Sequence, residues 1–155
     1  MKLIFLCLIC LLTSIINQPI RFQGTYAYSS GKAPYAPSGL LEIHYVNQNK
    51  ILFYLEAERA SDHNSGSIYG KLTLNKKSGN YEYLPVEKGG CKLVFIKDGN
   101  KVVVKTVDGD CGFGYGVYAD GTFSLKDGSN PAYLITRTNK KVYFDKTSPE
   151  NFRED

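Results

Sequence analysis

The chain has no tryptophan, a single methionine and only two histidines, His44 and His63. This scarcity narrows the chemistry. Hydrolytic or redox catalysis needs a nucleophile or an acid–base pair in a tuned environment. Neither histidine stands in a nucleophile-bearing string such as Gly-x-Ser-x-Gly; His63 lies in the polar loop Ser61-Asp62-His63-Asn64-Ser65. The expectation is a protein that is not an enzyme and uses no cofactor. Clustered positive charge is also missing. The net charge is +4, and Lys76-Lys77 and Lys140-Lys141 are the only basic doublets beyond the N-terminus, so the concentrated footprint of a nucleic-acid binder is absent. Metal-ligand patterns are equally thin. Asp62, His63 and Asn64 break the alternating ligand order of a calcium loop, and Asp108 with Asp110 reads as a pair of solvated turn residues.

Long apolar runs are confined to the start, where Lys2 precedes an unbroken stretch from Leu3 to Leu12, extended by Thr13-Ser14-Ile15-Ile16. This falls short of the roughly 20 residues that cross a bilayer and has the form of a secretory signal. Residues 1–17 are therefore expected to be a leader, with retention as a membrane tether the alternative. Ser14 is the only small residue well placed for cleavage. Cys7 and Cys10 lie inside the apolar run, which leaves Cys91 and Cys111 for the body of the protein. An even pair behind a secretory signal reads as a disulfide, which also removes a Cys–His catalytic pair.

A sustained helical period is lacking from Gly24 onward; period-two alternation takes its place. Strands are expected at Gly24–Tyr28, Leu40–Val46, Ile51–Glu58, Ser67–Leu74, Tyr81–Leu84, Cys91–Lys97, Lys101–Val107, Tyr115–Tyr118, Thr122–Lys126, Ala132–Arg137 and Lys141–Phe144. Turn signals such as Asp98-Gly99-Asn100, Asp120-Gly121 and Asp127-Gly128 separate them. Short strands joined by such turns form consecutive antiparallel hairpins, and closing the meander removes its edges. The fold class is thus all-β: an antiparallel meander closed, or nearly closed, into a lipocalin-like barrel of about eight or more strands with one disulfide. Residues 18–146 form the barrel domain. Residues 147–155 form a fraying tail, in which Ser148-Pro149-Glu150 suits a short helical turn.

Alternation assigns faces. Leu41, Ile43 and Tyr45 share one side of their strand, leaving Glu42 and His44 on the other, while Lys101, Val103 and Lys105 form a wet face opposite Val102 and Val104. Ile51–Leu55 is apolar on both faces, so it is expected to be central or covered. A two-residue turn at Gly99-Asn100 would pair Asp98 with Lys101 and place Cys91 opposite Asp108. Cys111 then falls beyond the paired region, so a bulge or tight turn at Asp108-Gly109-Asp110 is needed to bring the sulfurs together.

The glycines Gly112, Gly114 and Gly116 have the wrong spacing for a dinucleotide fingerprint, and nothing helical follows them. Read as extended chain, they leave one face bare, with Cys111, Phe113, Tyr115 and Val117 on the other. A bare face invites close backbone approach, an aromatic cover from a neighbouring strand, a sharp bend or a ligand groove. The chain also carries 12 tyrosines, side chains suited both to barrel cores and to adaptable binding surfaces, carbohydrate sites included.

Gly24-Thr25-Tyr26, Gly66-Ser67-Ile68-Tyr69-Gly70 and Cys91, followed by Cys111-Gly112-Phe113-Gly114-Tyr115-Gly116-Val117-Tyr118-Ala119-Asp120-Gly121-Thr122-Phe123, resemble a group of small secreted bacterial β-proteins. That group carries Cys-Gly-Phe-Gly-x-Gly-Val-x-Ala-Asp-Gly-Thr-Tyr, with Phe123 here at the last place. The resemblance implies an exported, cell-envelope location, periplasmic or secreted, and brings no activity. Ser65-Gly66-Ser67-Ile68-Tyr69 is also similar to the Ser-Gly-x-x-Tyr loop of periplasmic lysozyme inhibitors. That similarity implies an exposed tip bearing Ser65 and Tyr69 that enters a hydrolase cleft. Charge argues the other way, since a basic inhibitor gains no steering toward basic lysozymes. The expected function is a non-enzymatic binding module for a small ligand or an envelope or extracellular protein, with hydrolase inhibition the alternative. Contact with a membrane is expected only if the leader is retained. An interior filled by Leu41, Ile43, Phe53 and Val104 would argue against an internal ligand.

Overall fold

The computed structural model describes residues 21–31, 36–59, 64–85, 90–109 and 111–154. Eight strands, β1 Gly24–Ser29, β2 Ser38–Asn47, β3 Lys50–Arg59, β4 Asn64–Leu74, β5 Tyr81–Tyr83, β6 Lys92–Asp98, β7 Lys101–Asp108 and β8 Gly121–Asp127, run in consecutive antiparallel order. β8 returns to pair with β1, which closes the barrel. Two further strands, β9 Tyr133–Ile135 and β10 Lys141–Tyr143, make a separate antiparallel ribbon outside it. The expected leader, residues 1–17, and the loop residues Asp62, His63 and Asp110 lie outside the described residues.

The alternation of β2, β3, β6 and β7 explains the barrel interior. Leu41, Ile43, Phe53, Leu55, Leu93, Phe95, Val102 and Val104 all point inward and are at most 1% exposed. Phe53 meets Phe95 edge-on at 4.9 Å and Tyr83 at 5.3 Å. Each such side chain contributes roughly 1.5–3 kcal/mol on burial. The barrel has the strand number of a ligand-carrying cup, but side chains fill its axis. At the β2–β3 end, Phe22 stacks on Tyr81 at 4.3 Å, and both line a hollow with Tyr45 and Leu74.

Strand β3 is apolar on both faces because both are covered. Leu52 and Tyr54 point out of the barrel and form a second core with Tyr69, Leu134, Val142 and Phe144. The β9–β10 ribbon therefore lies over the outer surface of β3 and β4 rather than joining the barrel. His44 leaves its strand on the polar side, as alternation requires, but stacks on Phe144 at 4.9 Å, with Nδ1 2.7 Å from the Pro131 carbonyl.

The C-terminal segment departs from the expectation of a fraying tail. A single 3₁₀ turn forms at Pro149–Asn151, although Ser148 supplies no side-chain cap. Phe152 then packs edge-on against Tyr69 at 5.2 Å and Tyr54 at 6.3 Å. Glu154 accepts hydrogen bonds from Ser67 at 2.6 Å and Tyr54 at 3.1 Å and pairs with Arg137 at 2.6 Å. The tail is a strap across β3 and β4, held because the buried Tyr54 and the half-buried Ser67 offer donors that need a partner.

Candidate functional site: the loop that caps the barrel

The end of the barrel opposite Phe22 is closed by residues 111–120, and three kinds of contact fix that loop. Cys91 and Cys111 form the expected disulfide, with Cα atoms 4.6 Å apart. The hairpin behind it has the expected register, Asp98 opposite Lys101, but a bulge places Lys92 opposite Asp108 and Leu93 opposite Thr106. Val107 is the extra residue. Its bulge carries β7 around to Gly109, whose φ of 70° turns the chain against Gly90 and Cys91. The second contact is a plug: Phe113, Val117 and Ala119 are 3%, 8% and 2% exposed and belong to the barrel core. The third closes the far end of the loop, where the Asp120 carboxylate accepts from the Thr106 N–H at 3.1 Å and from its hydroxyl at 2.6 Å.

The glycine run is not the extended strand that alternation suggested. Gly112, Gly114 and Gly116 take φ values of 70°, 94° and 72°, and Val117 donates to the Gly114 carbonyl across a tight turn. Left-handed residues break the two-residue repeat. Phe113 and Val117 consequently point into the barrel while Tyr115, expected on their side, is 87% exposed. Tyr118 is 75% exposed on the same loop.

The bare positions meet different fates. A Cβ at residue 116 would overlap the Arg59 side chain, which runs across the glycine and sets its guanidinium 5.9 Å from the Tyr115 ring centroid. Open space faces Gly112 and Gly114. The loop borders an open depression of about 1000 Å³, lined by Thr106, the three glycines, Tyr115, Tyr118 and Asp120 together with Phe113 and Val117. Its chemistry is two exposed aromatic rings, with the Arg59 guanidinium near Tyr115. Arg59 and Tyr118 were not singled out by the sequence. The one signal for the tyrosines was their spacing of three within a glycine run, which no strand can hold on one face.

Ser65, Gly66 and Tyr69 do not form an exposed tip. They belong to β4, where Gly66 pairs with Ala57 and Ser65 with Glu58. Tyr69 is 6% exposed and donates to the Thr147 carbonyl at 2.7 Å, while Arg137 donates to the Ser65 carbonyl at 2.7 Å. The strand begins earlier than the expected Ser67 because Gly66 can pass directly beneath Phe113, where any side chain would collide.

A second concentration of polar groups lies on the outer wall. Glu42 is pushed up to about 7, first by burial and then by the nearby Glu56 carboxylate, and its Oε2 is enclosed without a hydrogen-bond partner among the described residues. Burial also raises Glu56, against the hydrogen bond it accepts from Tyr54. Burial lifts Tyr69 to about 12, helped by Glu150. Glu154 is held below the usual carboxylate range by its Arg137 and Ser67 hydrogen bonds, which outweigh its burial. Apart from Glu42, these groups bond to one another and to the strap. Among the described residues no group of three or more His, Cys, Asp or Glu is placed to hold a metal ion.

Compared with protein-family models, with curated proteins and with solved structures, the chain matches none.

Proposed function

We propose that this is an exported binding module that engages its partner with the outer face of the cap loop, through Tyr115 and Tyr118, rather than an enzyme. The observation that carries the reading is the exposure of Tyr115 and Tyr118, 87% and 75%, on a loop whose Phe113, Val117 and Ala119 side chains are built into the barrel core. Exposed rings on mobile chain are unremarkable, but here the loop is stapled, plugged and pinned at Asp120. Rigid tyrosines offer large amphipathic contact area with little rotamer entropy to lose. Filling of the barrel axis by Leu41, Ile43, Phe53 and Val104 favours an external over an internal ligand. The disulfide supports an oxidising compartment, periplasmic or secreted. The seating of Tyr69 in β4 gives no support to hydrolase inhibition through the Ser65–Tyr69 string.

The test is retention of the purified protein on isolated cell-wall sacculi and on immobilised envelope proteins, compared with a Tyr115→Ala/Tyr118→Ala variant. The wild type should be held on one of these matrices and the variant released at least tenfold more readily. Equal retention of the two proteins on every matrix would remove the cap loop from the function.

A further inference from the structure

The β9–β10 ribbon buries one face and presents the other. Leu134 and Val142 point into the outer core, at 0% and 7% exposure. Register places Tyr133 opposite Tyr143 and Ile135 opposite Lys141 on the free face. Tyr133, Ile135 and Tyr143 are 40%, 41% and 39% exposed, a contiguous apolar strip on a short, flat element. Lysines surround it. Lys141 Nζ lies 3.6 Å from the Tyr133 centroid and 5.3 Å from that of Tyr143, and Lys146 Nζ lies 4.9 Å from the Tyr143 centroid. Lys140 and Arg153 line the adjoining hollow. The tertiary fold thus gathers charge that the sequence spreads over 14 positions. Of the acids in this segment, Asp145 sits beside Lys146 in the chain, and Glu150 is balanced by Lys50 and Lys71.

We infer that this face is a docking surface for an anionic lipid bilayer. Charge complementarity selects a negative partner, and the apolar strip selects among negative partners. A dissolved polyanion would use the lysines and leave Ile135 and both rings in water. A bilayer interface takes the ammonium groups at its phosphates and the tyrosine rings and Ile135 at the boundary between headgroups and acyl chains. The surface stands apart from the cap loop and needs no leader segment, so peripheral attachment would hold the module at a membrane while the cap loop remains free.

Cosedimentation of the full chain with vesicles of phosphatidylcholine, and of equal parts phosphatidylcholine and phosphatidylglycerol, tests it. The apolar N-terminal run contributes to both, so the readout is the ratio. The wild type should prefer the anionic vesicles, and the preference should weaken as salt is raised. Each lysine near such a surface is worth about fivefold in partitioning, so Lys140→Gln/Lys141→Gln/Lys146→Gln should cost about a hundredfold. Tyr133→Ser/Ile135→Ser should lower anionic binding several-fold with every charge intact. Equal partitioning into the two vesicle types overturns the inference, as does a wild-type ratio for the lysine variant. Loss only in the lysine variant, with soluble polyphosphate competing fully, would instead identify a polyanion site.

Discussion

Phe113 lies with its main chain directly on Gly66, so that a Cβ on residue 66 would overlap the Phe113 backbone. This contact joins the cap loop to β4. Backbone cannot swing aside as a flexible side chain can, so Gly66→Ala must either lift the loop or distort the strand. The substitution should cost about 2 kcal/mol, an overpacking penalty. Chemical denaturation measures the loss, and limited proteolysis between Gly112 and Tyr118 should become faster. An unchanged denaturation midpoint would mean that the loop does not rest on β4.

Reduction of Cys91–Cys111 releases the same loop from its other side. The two cysteines are 20 residues apart, and a loop of that length gives about 3 kcal/mol in the chain-entropy model. The barrel strands pair independently of the bridge, so a reducing agent should lower the denaturation midpoint without abolishing the β-sheet circular dichroism. Loss of the β signal on reduction under native conditions would contradict this.

Phe144 is the keystone of the outer layer, stacked on His44 at 4.9 Å and edge-on to Tyr69 at 5.6 Å. Phe144→Ala should cost about 3 kcal/mol. Tyr115→Ala and Tyr118→Ala, exposed and outside any core, should each stay within about 0.5 kcal/mol. The contrast between the two sets, read by thermal denaturation, separates packing aromatics from presented ones.

Glu42 gives the molecule a characteristic pH profile. Its folded-state value lies near 7 against 4.5 for an ordinary glutamate, so between these values the folded state holds a proton that the unfolded chain has released. Stability therefore falls as pH rises through that window. Glu42→Gln should flatten the slope and raise stability at pH 8 by about 1 kcal/mol, after allowance for the screening of a partly exposed group. Glu154 acts in the opposite sense and lower on the scale. Its depressed value contributes stability above pH 4.5 that is lost on further acidification, and Glu154→Gln should remove that loss.

Most barrel strands were legible in the sequence because they have one wet and one dry face, and alternation records this residue by residue. Lys101 to Lys105 could hardly be read otherwise. The run Ile51–Leu55 announced a cover on its outer face without naming it, since apolar residues do not say which partner buries them. Residues 111–120 misled for a local reason: three glycines free of steric restriction allow left-handed φ, and period-two reasoning fails wherever φ changes sign. The string Ser65–Tyr69 fixes neither exposure nor strand membership: Phe113 lies against Gly66, and Phe144, Phe152 and the Thr147 carbonyl cover Tyr69, all arriving from elsewhere in the chain.

By itself, then, the sequence determined the all-β class, the hairpin order, the inward and outward faces and the pairing of Cys91 with Cys111. All of these follow from periodicity, turn chemistry and the count of available cysteines. Only the tertiary structure decided that β8 meets β1, that the C-terminal ribbon and strap lie outside the barrel, and that Tyr115 and Tyr118 face solvent while Phe113 and Val117 fill the barrel end. Those outcomes depend on contacts between residues far apart in the chain, whose energies of burial and close approach leave no local signature.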